Sequence, residues 1–372
     1  MNFGFSEEQD LLRNEVRKFL DAQCPLDVVR QIMETPPGYS PEQWKQLGEL
    51  GFLGLTLPEA YGGAGLGWVD LVVLLEETGR SLFPSPLIST TLAGAAILDA
   101  GSEEQQRTWL PGIAAGSLIG SVAVLEESDA LSLEGVQLRG RAEGDGYLLS
   151  GEKHFVADAG VADVFVVAFR TGNGPDDVSL GLVEASAPGV SVEDMETLDR
   201  SKRVGTLRLD GATASLLGEA GQAGPAILRH LDRGAAAVSA EIIGVIEGAL
   251  DITVQYAKDR IQFGSPIGHY QGVKHPLAEM YVDVECLKSL TYYAAWALDG
   301  SPDDVTRAVS EAKSFAALAV TQAGISAIQL HGAVGYTEEY DVQLYLKRSK
   351  WARPCYGDET HHQERVARIG GY

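Results

Sequence analysis

Two long apolar stripes in the C-terminal part of the chain place the strongest constraint on its fold. In residues 238–256 and again in residues 277–290, apolar side chains recur at steps of three and four, which is the period of one helical face. The segment 264–268 between them contains two glycines and a proline, residues that end helices. The pattern predicts two long helices joined by a tight connection, with Arg260 and Gln271 at the mouth of the hairpin. The planar guanidinium of an arginine is suited to binding phosphate.

The apolar pattern changes twice along the chain and divides it into three parts. Residues 1–118 are typical of helices, residues 119–220 of short strands separated by turns, and residues 221–372 of helices again. We therefore predict an α+β, mainly α, fold. It would have an N-terminal helical domain (1–118), a middle antiparallel β-barrel or sandwich domain (119–220) and a C-terminal four-helix-bundle domain (221–372).

Several helix starts are marked by capping signals. Ser6 with Gln9 is a capping-box pattern, and residues 40–41 (Ser-Pro) place a proline in a first turn, where it is tolerated. Residues 301–304 (Ser-Pro-Asp-Asp) predict the start of an Ala-rich helix that runs to about Leu330.

The glycine-rich segment 55–67 superficially resembles a dinucleotide-binding loop. Such a loop needs a strand before it and a βαβ unit around it, whereas the flanking residues here are typical of helices. We predict a glycine-rich turn between two helices.

The charge of the chain limits its partners. Acidic residues number 52 and basic residues 29, for a formal net charge of −23. Such a surface repels nucleic acid and anionic membranes, so we expect neither as a partner. An anionic small molecule remains compatible, because a local basic pocket can operate within an acidic protein.

The cysteines and the N-terminus indicate where the protein works. Three cysteines, far apart in the sequence, predict free thiols in a reducing compartment. The N-terminal residues lack the pattern of a secretory signal, and no apolar run is long enough to span a bilayer. We expect a cytoplasmic protein. His361 and His362 with Glu364 favour a charged terminal helix over a metal site, so we predict no metal.

Five segments, distributed over all three parts, resemble the acyl-CoA dehydrogenase family across essentially the whole chain. Each is weak alone, but their shared order and spacing make the resemblance specific. They are Phe5-Ser-Glu-Glu-Gln, Leu57-Pro-Glu-Ala-Tyr-Gly-Gly-Ala-Gly, Gly151-Glu-Lys-His-Phe, Tyr256-Ala-Lys-Asp-Arg-Ile-Gln-Phe-Gly and Gln329-Leu-His-Gly-Ala-Val-Gly-Tyr-Thr-Glu-Glu-Tyr.

The resemblance implies FAD as cofactor and an acyl-CoA thioester as substrate. In that family a carboxylate removes the α-proton and flavin N5 accepts the β-hydride. The resemblance also implies tetramers and an electron-transferring flavoprotein as a candidate partner. The residues here that match those holding the ADP half of the neighbouring subunit's FAD are Arg260, Phe263, Gln271, Gln329, Gly332 and Gly335. Arginine suits a pyrophosphate, and glycine allows close approach of the backbone to a nucleotide. The alternative is an exposed cation at a helix end and a simple helix stop.

The residue at the family's catalytic base position departs from the pattern. Tyr356 stands where the glutamate is expected, and a phenol with a reference pKa of about 10 is a poor base at neutral pH. Other members carry the base near the start of a long C-terminal helix, and the matching residues are Gly234 and Ala235. Glu241, two turns further along, is the nearest candidate base, although we favour a structural role within the bundle. The carboxylates at 358–359 are further candidates if the terminal loop is shifted.

The middle domain departs from the family as well. Where the family usually has Thr-Glu-Pro…Gly-Ser-Asp, this chain has Leu125-Glu-Glu-Ser-Asp129. Residues 155–158 (Phe-Val-Ala-Asp) lack the hydroxyl that normally follows Gly-x-Lys-x-Phe. We therefore expect few hydrogen-bond donors around the flavin ring.

The features that a subunit lends to its neighbour are retained, and those it uses on its own FAD and substrate are missing. Our first hypothesis is the non-catalytic partner in a heteromeric (α2β2) acyl-CoA dehydrogenase, of a kind that often acts on bulky thioesters such as steroid side chains. The alternatives are a homomeric dehydrogenase with a relocated base, and an FAD-free assembly or acyl-CoA-binding scaffold.

Overall fold

A computed structural model describes residues 6–300 and 303–372. The helices are α1 (Glu7–Gln23), α2 (Leu26–Met33), α3 (Pro41–Glu49), α4 (Trp68–Arg80), α5 (Leu87–Ala100), α6 (Glu103–Ala114), α7 (Gly224–Asp259), α8 (Gln271–Gly300), α9 (Val305–His331), α10 (Val342–Ala352) and α11 (Glu359–Gly370). The strands are β1 (Gly120–Ala123), β2 (Gly140–Glu143), β3 (Gly146–Ala157), β4 (Val164–Arg170), β5 (Val178–Glu184), β6 (Val190–Met195), β7 (Val204–Leu217), β8 (Ile261–Gln262) and β9 (Ser265–Pro266). The predicted α+β, mainly helical fold is confirmed.

The chain forms two compact units. The helical unit contains the described residues up to Ile32, then Trp68–Phe83 and Ala235–Tyr372. The mixed unit contains Met33–Gly67 and Pro84–Gly234. The domain boundaries proposed from the sequence stay predictions.

Capping signals place the helix starts where the sequence predicts them. Ser6 and Gln9 form the reciprocal capping box of α1, and the Ser40 side chain caps α3, which has a proline in its first turn. Ser301 and Pro302 lie outside the described residues. The helix they were predicted to open, α9, begins at Val305 and ends at His331.

The sheet of the mixed unit has the strand order β1-β4-β5-β7-β3-β2, with β6 also paired to β7. The long strand β7 pairs with β3 and β6 through its first part and with β5 through Ser215–Leu217. All seven residues of β4 are buried, as expected for a strand covered on both faces. The predicted antiparallel pairing needs one correction, because β1 and β4 are parallel. A long crossover through β2 and β3 separates them, which is what parallel pairing requires.

The glycine-rich segment 55–67 is a turn between helices, as predicted. It contains a short 3-10 turn (Glu59–Tyr61) and no strand, and Gly62 and Gly65 have positive φ angles of 82° and 65°. A Cβ on Gly63 would lie 2.0 Å from the Leu57 carbonyl oxygen. These glycines serve backbone packing.

Within the helical unit, α4 and α7 approach so closely that their backbones touch. A Cβ on Gly79 would lie 2.0 Å from the Glu241 carbonyl oxygen, and one on Gly244 would lie 1.8 Å from that of Glu76. Only glycine fits at such a crossing.

Buried charges attach α1 to α4. Arg13 Nη1 lies 2.7 Å from Glu76 Oε2 and 3.2 Å from Glu77 Oε1, and Arg17 binds Glu77 through two contacts of 2.7 and 2.8 Å. Burial raises the pKa of Glu76 to about 7, although Arg13 opposes this shift.

Replacing Gly244 by alanine should cost about 3 kcal/mol or more of unfolding free energy, because the new methyl group meets backbone that cannot move aside. Chemical denaturation measures the effect. The matched control is Gly272→Ala in α8, where no atom lies within 4 Å of the new Cβ. The control should be neutral or stabilising by up to about 1 kcal/mol. Equal stability of the two variants would contradict the close helix crossing.

The raised pKa of Glu76 predicts a pH dependence of stability. A carboxyl whose pKa is higher in the folded state stabilises the fold below its unfolded pKa, and this contribution is lost as the pH rises through about 7. Between pH 5.5 and 8 the wild type should lose about 2 kcal/mol relative to Glu76→Gln. Denaturation at several pH values measures this, with Glu15→Gln, an exposed position on α1, as control. Parallel curves for the wild type and Glu76→Gln would show that this carboxyl is not responsible.

Candidate functional site

The connection between α7 and α8 is a small β-hairpin. Ile261 pairs with Pro266, and Gln262 pairs with Ser265. The turn residues Phe263 and Gly264 both have positive φ angles, 51° and 80°, the pattern of a type I′ turn. Phe263 at the tip is 92% exposed. The predicted tight connection is confirmed, and its most apolar side chain points away from any core.

Arg260 is fixed at its backbone and exposed at its side chain. Its N–H donates to Tyr256 O at 2.8 Å, and its carbonyl accepts from the N–H of Ile267 at 2.8 Å. Within the described part of the chain, the guanidinium has no ion-pair or hydrogen-bond partner. In so acidic a protein, a cation without a neutralising carboxylate is available to an anionic group.

An aromatic cluster joins the last turns of α7 to the end of α9. The rings of Tyr256 and His331 stack with centroids 4.4 Å apart, and the Tyr256 hydroxyl donates to His331 O at 3.3 Å. Tyr340 packs against both rings. The cluster holds segment 329–335 beside the turn that carries Arg260. Sequence reasoning missed this role, although Tyr256 and His331 stand inside the recognised segments.

The other predicted cofactor residues differ in what they contribute. Gln271 begins α8 and Gln329 lies near the end of α9, and both side chains are exposed. Gly332 has a φ of 64°, with no atom within 4 Å of a Cβ placed there, so its backbone is open to a ligand. Gly335 is buried, and a Cβ there would lie 2.9 Å from the Ile328 carbonyl oxygen. Gly335 is therefore required by packing.

Tyr356, at the first family base position, and Ala235, one match to the second, both lie in the helical unit. Tyr356 packs against a cluster of small buried residues that includes Ala235, which with Gly234 matches the second base position. We call this the alanine cluster; its buried members are Ala235, Ala236, Ala294, Ala297, Ala308, Val309 and Ala312. Neither base position holds a carboxylate.

The turn that carries Tyr356 is held by two buried side chains. Tyr356 has a φ of 57° and Gly357 one of 100°. His362 Nε2 donates to Tyr356 O at 2.9 Å, and Lys313 Nζ donates to Gly357 O at 2.7 Å. Lys313 also donates to the carbonyls of residues 352–353, at the end of α10. Burial lowers the pKa of Lys313 to about 8 and that of His362 to about 3.

The candidate base Glu241 lies in a buried ion pair. Arg348 Nη1 donates to its carboxylate, and Arg348 Nη2 donates to Leu82 O at 3.2 Å. Glu241 and Arg348 are 1% and 0% exposed. Glu241 also lies 19 residues before Arg260, roughly 28 Å along the helix. Its role as base stays a prediction, and these surroundings favour a structural role.

The carboxylates at 358–359 are also engaged. Asp358 accepts from the backbone N–H of His361 at 3.0 Å and caps α11. Glu359 pairs with Arg353, whose hydrogen bonds lower the pKa of that carboxyl. In the described ranges, no group of three or more His, Cys, Asp or Glu side chains is arranged to hold a metal ion.

The segments of the mixed unit that match the family's flavin contacts offer few hydrogen-bond donors. Glu126 accepts from Lys153 Nζ at 2.7 Å and from two backbone N–H groups at 2.9 Å, so its carboxylate organises its own loop. Asp158 has a φ of 52° and accepts from the Ser89 hydroxyl at 2.6 Å. An ionised carboxylate accepts hydrogen bonds and donates none.

FAD therefore fits the residues of this chain in part. The exposed Arg260 guanidinium, the side chains of Gln271 and Gln329, and the open backbone at Gly332 fit the ADP half. Segment 155–158 does not provide the hydroxyl donor that the flavin half would use.

Among the described residues, no helix combines the length and apolarity needed to cross a bilayer.

Comparison with known proteins assigns the family. Profiles of the acyl-CoA dehydrogenase N-terminal, middle and C-terminal domains match residues 6–117, 123–211 and 224–370. The acyl-CoA dehydrogenase IpdE2 of Mycolicibacterium smegmatis is 31% identical over 362 residues, which cover 97% of this chain and 98% of that protein.

Two solved structures share the fold over nearly their full length. A variant of the Tcur3481-Tcur3483 steroid ACAD has a TM-score of 0.89 and 34% identity, over 98% of each chain. The ChsE4-ChsE5 complex from Mycobacterium tuberculosis has a TM-score of 0.91 and 29% identity, over 100% of this chain and 99% of that one. The predicted family and its cofactor, FAD, are confirmed. The chain belongs to the acyl-CoA dehydrogenase family, FAD-dependent oxidoreductases that act on CH–CH bonds.

Proposed function

We propose that this chain is the non-catalytic subunit of a heteromeric acyl-CoA dehydrogenase and that it completes the FAD site of its partner. One observation carries the proposal. Tyr356 packs against the alanine cluster, which contains Ala235, and neither Tyr356 nor the matches to the second base position, Gly234 and Ala235, can act as a base at neutral pH.

The carboxylates available to replace the base are all engaged elsewhere. Glu241 pairs with a buried arginine, Asp358 caps a helix and Glu359 pairs with Arg353. A carboxylate that must neutralise a buried guanidinium cannot accept a proton without leaving that charge uncompensated.

The residues that match the ADP-binding set, except the buried Gly335, are exposed. Phe263 is 92% exposed at a strained turn, and the Arg260 guanidinium beside it is exposed. A positive φ at a bulky residue costs free energy, and at Phe263 no contact with the core of this chain offsets that cost. A contact with another subunit would offset it. These features support a contribution to a cofactor bound across an interface.

Two related structures support the heteromeric form. Their names give pairs of components, Tcur3481 with Tcur3483 and ChsE4 with ChsE5, and the first is described as a steroid ACAD. By analogy, the substrate of the complete enzyme would be an acyl-CoA thioester with a bulky, steroid-derived acyl group. The electron acceptor would be an electron-transferring flavoprotein.

The cytoplasm is the proposed location. All three cysteines, Cys24, Cys286 and Cys355, are free thiols, which suits a reducing compartment.

Expression of this chain alone and together with a related acyl-CoA dehydrogenase subunit from the same organism tests the proposal. The complex should be yellow and dehydrogenate acyl-CoA, and the chain purified alone should do neither. Arg260→Ala should lower the FAD retained by the complex about tenfold or more, because a charge-assisted contact to phosphate is lost. Lys258→Ala, which removes an exposed charge two residues away, is the matched control and should retain FAD.

Three other outcomes separate the alternatives. A yellow, active protein from this chain alone would favour the homomeric dehydrogenase. A colourless complex would favour the FAD-free scaffold. Equal FAD loss in Arg260→Ala and Lys258→Ala would remove Arg260 from the cofactor site.

Glu241→Gln should separate packing from catalysis. It leaves the buried Arg348 without a counter-charge, so the unfolding free energy should fall by about 3 kcal/mol or more, whereas turnover per folded complex should be unchanged. Arg260→Ala is the stability control and should lie within about 0.5 kcal/mol of the wild type. A stable but inactive Glu241→Gln complex would make Glu241 the base.

A further inference from the structure

The Tyr356–Gly357 turn is more tightly constrained than a surface loop would be. Tyrosine rarely adopts a positive φ, because the conformation is strained and persists only where the surrounding structure imposes it. Here the two successive carbonyls are held by Lys313 from α9 and His362 from α11, both almost completely buried. Two helices therefore cooperate to keep one strained residue in place.

The Tyr356 side chain, so positioned, packs against a cluster of small residues. Nearly all buried members of the alanine cluster are alanines, contributed by α7, α8 and α9. Alanine side chains do not fill the space between helices unless the backbones touch or a larger group enters. The Tyr356 ring is one such group. It packs against the cluster from the α10–α11 connection, whereas Leu290, Leu298 and Val305 pack against it from α8 and α9.

We propose that Tyr356 is a fixed plug that closes the acyl pocket of this chain, and that Lys313 and His362 hold the plug closed. The inference rests on the proposed function, since it explains how a subunit without a base avoids binding substrate unproductively. An acyl thioester bound in this chain could not react and would compete with binding at the partner's site. A phenol ring at one base position, packed against the cluster that contains Ala235, excludes the acyl group sterically.

The charged groups around the turn are consistent with a permanent closure. Lys313 is surrounded by Cys355, Asp358, Glu359 and Arg353, and its three carbonyl contacts do not depend on any of these side chains. The low pKa of His362 keeps its ring neutral, so Nε2–H remains a donor to Tyr356 O throughout the physiological range.

The test compares butyryl-CoA with CoA on the full chain by calorimetric titration. The wild type should bind the two alike, because the plug excludes the acyl group. Tyr356→Gly removes the ring and suits the positive φ, so this variant should fold. It should bind butyryl-CoA about fifty-fold more tightly than CoA, as three newly buried carbon atoms predict. Tyr356→Phe keeps the ring and should behave as the wild type.

Two results would overturn the plug. One is a wild-type chain that already prefers butyryl-CoA to CoA. The other is a folded Tyr356→Gly protein, with an unchanged circular dichroism spectrum, that still shows no preference. Neither depends on flavin content, so the plug can fail while the proposed partner role stands. Conversely, loss of the partner role would appear in flavin and turnover, which this titration does not measure.

His362→Leu tests the holding role separately. It removes the donor to Tyr356 O but keeps the ring of Tyr356, so a preference for butyryl-CoA should emerge as the plug loosens. A residue that only stabilises the fold would lower the melting temperature without changing the ratio of the two affinities. That result would show that His362 does not hold the plug closed.

Discussion

A contact region centred on Glu241 connects three helices of the helical unit. The backbone of this residue lies against Gly79 of α4, where no side chain fits, and its carboxylate pairs with Arg348 of α10. Arg348 in turn donates to Leu82 O, just beyond α4. One residue of α7 thus connects three helices through a backbone contact and a buried ion pair. Breaking such a pair is strongly destabilising, because it leaves a buried charge without a partner.

The residue that packs α7 against its neighbours, Glu241, lies far from Arg260, which follows the C-terminal end of the helix. The helix has 36 residues, and the turn with Arg260 follows its last residue. A long helix held firmly near its middle presents its end at a defined position, which suits a group that acts beyond its own subunit. The exposed Arg260 and Phe263 can thus be substituted at little cost to folding, whereas Glu241 cannot. The match of Arg260 and Phe263 to the family's ADP-binding residues is better explained by cofactor binding than by a contribution to folding stability.

The features predictable from the sequence are those governed by local rules. Periodicity predicted the long helices, and capping residues such as Ser6 predicted their starts, because both are set by neighbours within one helical turn. The parallel pairing of β1 with β4 was missed, since it depends on residues far apart in the chain. The Glu241–Arg348 pair, 107 residues apart, was missed for the same reason, as was the hydrogen bond from Lys313 to Gly357 O. A lysine in a helical pattern gives no sign that it will be buried.

Two aromatic residues with positive φ, Phe263 and Tyr356, share a backbone conformation, but the side chain of the first is exposed and that of the second faces inward. Both occupy a conformation that costs energy, and both precede a glycine of positive φ. Phe263 is exposed at the tip of a hairpin, where it has no partner in its own core. Tyr356 turns inward and is fixed by buried donors on two helices. A strained residue with an exposed side chain suits a surface that binds another subunit. A strained residue with an inward side chain suits a site that is kept closed. The same backbone conformation would then help to complete the partner's cofactor site at Phe263 and would close this chain's own acyl pocket at Tyr356.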